Sequence, residues 1–186
     1  MQKLPNRFDT VSIILHWSVG VAIIAIAAIE LLRGEIFPKG SFFREALKAL
    51  HNPAGTVVFG LILLRILWRV AHPTPAMPES MRPWEKVAAK LTHYALYLMM
   101  VMIPLTGILY VLARGRPIDF GLFQIIYPLD HVIGRNASRT LKDAHELLGQ
   151  AVLVLAFAHA AAALWHHYVR KDEVLTRMLP AAKAGR

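Results

Sequence analysis

The stretch LLGQAVLVLAFAHAAAALWHHY, from Leu147 to Tyr168, carries no formal charge, yet it has a histidine, His159, near its middle. A helix rises about 1.5 Å per residue, so a run of this length spans the roughly 30 Å hydrocarbon layer of a bilayer. Val11 to Ile29 and Leu91 to Ala113 are uncharged runs of similar length. A fourth run, Asn52 to Leu64, has 13 residues and on length alone suits a buried or interfacial helix. Arg65 and Arg69 follow it one turn apart, and long basic side chains near a helix end can snorkel to the headgroups. That span therefore extends to about Val70. The expected fold is all-α, a transmembrane up-and-down four-helix bundle forming one domain over residues 1–186, with helices at about 10–32, 51–70, 86–113 and 141–169.

Composition supports the membrane reading and removes several chemistries. Hydrophobic residues make up 56% of the 186 and mean hydropathy is +0.45, too apolar for an ordinary soluble domain. The chain has no cysteine, which excludes iron–sulfur clusters, thiolate metal sites, disulfides and thioether-linked haem. The net charge of +9 would suggest nucleic acid in a soluble protein. Here the basic residues fall in loops and at helix ends, so anionic lipid headgroups are the expected partner and nucleic acid is not. The first apolar run is too long for a signal-peptide core and reads as a retained helix.

Local signals place the ends. Asp9 or Thr10 caps the first helix. Arg33 to Leu50, with Gly34, Pro38 and Gly40, reads as a loop holding at most a short helix from Phe42. The second helix opens at His51 with Pro53 in its first turn and stops before His72-Pro73-Thr74-Pro75. Pro83-Trp84 precedes the third helix, in which Pro104 and Gly107 are expected to produce a kink. The long connection 114–140 contains an apolar piece, Phe120 to Tyr127, suited to resting on the membrane. Four spans put both termini on one side. That side carries 12 of the 21 Lys and Arg residues, so it is assigned to the cytoplasm. Trp17, Trp68, Trp84 and Trp165 all fall near it, as an interfacial belt would.

Three histidines are followed one helical turn later by glycine: His16 with Gly20, His51 with Gly55, and His145 with Gly149. Each glycine leaves a bare patch beside an imidazole on the same helix face, which is what a flat metal-centred ring needs in order to dock. His159 has Ala163 at the same offset. Depth sorts the four into pairs, His16 with His159 toward the cytoplasmic side and His51 with His145 toward the other. His145 and His159 are 14 residues apart, close to four turns, so they share a face about 21 Å apart along the axis. The reading is two non-covalent b haems stacked across the membrane, with both pairs drawing on the fourth helix.

The remaining histidines carry blander expectations. His93 has bulky Tyr97 at the following turn and suits a polar contact, such as a haem propionate. His166 and His167 suit the solvated interface, though His166, with Trp165 and Arg69, offers donors to a quinone headgroup. His72 and His131 read as surface residues. Met99, Met100 and Met102 read as packing, as do Thr106 and Gly107 in Pro104-Leu105-Thr106-Gly107.

The segments R-F-D with L-H-W, H-N-P-A-G, P-L-T-G and H-E-x-x-G with H-A-A-A-A-L-x-H-H-Y together resemble the bacterial cytochrome b561 family over essentially the whole chain. The resemblance implies four transmembrane helices holding two b haems between histidines, with His16, His51, His145 and His159 as iron ligands. It also implies electron transfer between a small periplasmic donor, superoxide in some members, and ubiquinone. Relatives of that family serve as membrane anchors for hydrogenases or other dehydrogenases, so a dehydrogenase subunit is the alternative partner. Two axial histidines leave iron no easy site for oxygen, which suits electron transfer rather than oxygen activation. Periplasmic Arg44, Lys48, Arg114 and Arg116 could attract a small anion or hold propionates. A divalent-metal transporter fits less well, because the uncharged spans offer no carboxylate to a dication.

Overall fold

In the computed structural model, residues 6–119, 123–125 and 135–180 are described. Four helices dominate: α1 (Thr10–Glu35), α2 (Phe42–Ala71), α3 (Pro83–Leu112) and α4 (Arg135–Trp165). All four are long and apolar enough to cross a membrane. A helix satisfies its backbone polar groups internally, which is what a segment without water must do. Most of the large apolar side chains face outward, among them Val21, Ile24, Leu67, Leu98, Val154 and Phe157, as lipid-facing positions require.

Asp9 caps α1: its carboxylate accepts from the Ser12 backbone N–H at 3.0 Å, from Ser12 Oγ at 2.6 Å and from Trp68 Nε1 at 3.0 Å. Burial alone would raise the Asp9 carboxyl, but these hydrogen bonds outweigh it and hold the group below its ordinary value. One carboxylate thus ends α1 and ties it to the last turns of α2.

The second helix departs from expectation. It begins at Phe42 rather than at His51, so His51 lies in the helix interior and Pro53 is not in the first turn. Ser41 supplies the cap, accepting from the Arg44 N–H at 3.4 Å, and Gly40 takes the positive φ of 83° that the preceding turn demands. Arg44 closes the corner. Its Nη1 donates to the carbonyls of Arg33 (2.9 Å), Gly34 (3.3 Å) and Phe37 (2.7 Å), so that group caps the end of α1. The helix α4 likewise starts earlier, at Arg135, with Lys142 and Glu146 paired at 2.7 Å across one turn. Between α3 and α4 lies a two-stranded antiparallel piece, β1 (Ile118–Asp119) with β2 (Gln124–Ile125), pairing Ile118 with Ile125. Most of the expected membrane-resting piece, and His131, lie outside the described residues.

The bundle is two hairpins. α1 packs along α2 and α3 along α4, while α2 touches α3 only lightly. One end is knitted: Phe8 N–H donates to the Arg177 carbonyl (3.3 Å), Trp17 Nε1 to that of Met178 (2.8 Å), and Arg177 to that of Ala76 (2.6 Å). Arg170 reaches the Ser80 carbonyl at 2.8 Å and Glu85 at 3.6 Å. Both ends of the described chain therefore meet at one end of the bundle, as four antiparallel spans require. Past Trp165, α4 widens into a π-turn (His166–Arg170), and Lys171 takes a left-handed φ of 54° that turns the chain back.

Arg44→Ala should loosen the α1–α2 corner by about 1–3 kcal/mol, since charge-assisted bonds to otherwise orphaned carbonyls are lost. A lower unfolding midpoint in detergent is the expected result. Arg44→Lys should recover only part of it, because an ammonium cannot reproduce the planar fork.

Candidate functional site

The four histidines singled out by their spacing come together in twos. His16 on α1 and His159 on α4 have ring centroids 6.2 Å apart; His51 on α2 and His145 on α4 have centroids 6.0 Å apart. The ring planes cross at 72° and 81°, so neither pair stacks. Each pair spans the seam between the two hairpins, with one histidine from the first and one from α4. His93 on α3 also reaches His159, at a closer 5.3 Å.

In three of these rings Nδ1 has a distinct neighbour. His145 Nδ1 donates to the Ile103 carbonyl at 2.8 Å, and Thr106 Oγ1 lies 3.4 Å from the same nitrogen. Gly107 makes this possible: a Cβ there would come within 3.0 Å of His145 Cε1, so the missing side chain clears the ring's path to the carbonyl. His51 Nδ1 lies 3.1 Å from Glu30 Oε1, off the straight N–H direction, and that buried nitrogen has no straighter partner among the described residues. Glu30 is itself paired with Arg33 one turn on. His16 Nδ1 instead faces Arg65 Nη2 at 3.1 Å.

A Cβ built on Gly20, Gly55 or Gly149 meets no atom within 4 Å. The helix surface beside each of these three histidines is therefore open, unlike that beside Gly107. Toward the end bearing the termini, a small cavity of about 60 Å³ is lined by Ser12, Arg65, Trp68, Arg69, His93 and Tyr97 with three apolar neighbours. Arg65 sits over the Tyr97 ring at 5.7 Å and Arg69 over Phe8 at 5.5 Å.

Two expectations change. His166 is buried at 8% exposure rather than solvated, with Nδ1 2.6 Å from Asp172 Oδ2. Arg69 lines the cavity beside His93, and neither His166 nor Trp165 contributes to that lining. Neither Glu30 nor Asp172 was singled out by the sequence, and Gly107 read as a kink and packing glycine rather than as a neighbour of a histidine. Glu30 was visible as the first charge after the uncharged run of α1. The contacts of Gly107 and Asp172 come from tertiary packing and from the π-turn, which no spacing rule marks.

Comparison with known proteins agrees across the chain. Residues 7–181 match the family model for prokaryotic cytochrome b561. The chain is 33% identical to cytochrome b561 homolog 1 of Escherichia coli (strain K12), covering 96% of this chain and 99% of that one. It is 32% identical to cytochrome b561 homolog 2 of the same organism, covering 94% and 92%. A protein of Yersinia pestis named probable superoxide oxidase CybB is 34% identical, over 94% of this chain and 97% of its own. Long apolar helices, histidines paired across the hairpin seam and a match over nearly the full length lead to one conclusion: the chain is a multi-pass membrane electron-transfer protein with b-type haem, and it belongs to the prokaryotic cytochrome b561 family.

Proposed function

We propose that the protein holds two b haems, one between His16 and His159 and one between His51 and His145, and carries electrons from a small periplasmic reductant to ubiquinone. The observation that carries this reading is the spacing of the pairs. Metal–imidazole bonds are about 2.0 Å long, so two imidazoles on one iron have centroids roughly 6 Å apart. The pairs stand at 6.2 and 6.0 Å, whereas the 5.3 Å between His93 and His159 suits direct ring contact.

The residues present fit such a group. At the His51–His145 pair, Nδ1 of each ring faces an oxygen, a carboxylate in one case and a carbonyl in the other. An Nδ1 that keeps its proton for an acceptor leaves Nε2 bare, the tautomer a metal ligand requires. Open helix surface beside Gly20, Gly55 and Gly149 accommodates a flat ring. His16 needs one adjustment, because Arg65 can only donate and its contact calls for a bare Nδ1. Haem propionates would give that guanidinium better acceptors.

Bound between two histidines, haem supplies a one-electron ferric/ferrous couple. The chain fixes where it stands, with one pair toward each membrane face and helix α4 common to both. With the termini in the cytoplasm, His51 and His145 lie toward the periplasm. Two superoxide ions would give up two electrons and leave as two oxygen molecules; ubiquinone would take the two electrons and two protons to become ubiquinol. His166, held by Asp172 beside the apolar belt near Trp165, is the residue we assign to a quinone carbonyl.

Pyridine haemochrome should give two haems per chain, neither covalently attached. His16→Ala and His159→Ala should lose the same haem, and His51→Ala and His145→Ala the other. Superoxide should reduce both haems in the wild type, and ubiquinone should reoxidise them. In His166→Ala reduction should persist while reoxidation slows; normal quinone turnover there would move the site elsewhere.

The glycines give a separate test. Leu at position 20, 55 or 149 should lower occupancy of the adjoining haem, overpacking a filled site costing about 1–3 kcal/mol, and Ala should be milder. Gly107→Ala should disturb the haem on His145 although it lies on another helix. Full occupancy and an unchanged spectrum in all four variants would assign these glycines to helix packing.

A further inference from the structure

The nearest charged group differs in sign between the two histidine pairs. Glu30 places a carboxylate 3.1 Å from His51 Nδ1, while Arg65 places a guanidinium 3.1 Å from His16 Nδ1. The second oxygen of Glu30 is held by Arg33, one turn further along α1, which keeps the side chain turned in place. The His51 nitrogen it faces is buried, with no straighter acceptor among the described residues. His145, the other histidine of that pair, rests on an uncharged carbonyl.

A carboxylate behind a ligating imidazole draws on its N–H proton and makes the ring a stronger electron donor to the metal. The ferric state carries one more positive charge than the ferrous state. A negative group held nearby therefore stabilises the oxidised form and lowers the reduction potential, and a positive group does the reverse.

We infer that Glu30, braced by Arg33, is a positioning residue that lowers the potential of the haem between His51 and His145, so that electrons run downhill from that pair toward His16 and His159. The inference rests on the proposed assignment of the two haems. It adds a cause for the direction of flow that the histidines alone do not contain.

Optical redox titration of the purified, haem-loaded protein tests it. The wild type should titrate in two steps, and the step missing in His51→Ala should be the lower one. Glu30→Gln keeps the shape and removes the charge. It should raise that step alone, by about tenfold in the reduction equilibrium, which is about 59 mV for one electron. Arg33→Gln leaves the carboxylate uncompensated and should move the same step downward. Opposite shifts from neighbouring variants are not expected of a purely structural role, which would move both alike or neither.

An unmoved step in Glu30→Gln, or equal movement of both steps, overturns the inference. If Glu30→Gln loses the haem, Arg33→Gln decides: a downward shift supports the inference and no shift overturns it. A haem count of one per wild-type chain would instead refute the assignment of two haems, so the two failures are distinguishable.

Discussion

An imidazole inside an apolar bundle has two ring nitrogens to satisfy and no water to help. Leaving one unmatched costs a few kcal/mol, so such a ring is set by the polar groups its neighbours provide. His145 takes a backbone carbonyl and His166 the side chain of Asp172, while His51 faces a carboxylate at 3.1 Å without a straight hydrogen bond. These partners lie on other helices or beyond a turn. Satisfying Nδ1 in this way fixes how the rings are set and frees the other nitrogen for chemistry. The division into two hairpins follows the same logic: close helix contact is kept within each hairpin, and the histidine pairs meet across the seam.

Helix number, the up-and-down order and the meeting of the histidines in twos could be read from the chain because they depend on periods and lengths. An uncharged run of about 20 residues and a 14-residue spacing near four turns are one-dimensional facts with direct three-dimensional meaning. The start of α2 was hidden because charge was taken to mark its edge. FFREALKAL follows the breakers Gly34, Pro38 and Gly40 and carries three charges, yet it is helix-forming and Ser41 caps it. Pro53 reinforced the error, since proline is commonest in a first turn. The same habit placed the start of α4 too late, at Leu141 instead of Arg135.

Contacts across the seam were less legible. Gly107 read as a packing glycine, and only the approach of His145 from α4 shows what its missing side chain admits. Asp172 lies six residues past His166, about 120° away around an ideal helix. The wider π-turn and the left-handed Lys171 bring it back to 2.6 Å. π-Turns tend to gather at functional positions, in keeping with a buried His–Asp contact at the membrane edge.

The knitted end carries a consequence for how the molecule is made. Trp17 and Phe8, near the start of the chain, find their partners at Met178 and Arg177, more than 160 residues later. A ribosome delivers the first hairpin long before those carbonyls exist. Loop closure over such a distance carries an entropic cost that only the finished bundle repays. The Trp17 indole N–H and the Phe8 amide must therefore wait, bonded to water or headgroups at the interface, until synthesis reaches the far end. Closure of this face is a late event in biogenesis, and the segment after α4 acts as the latch.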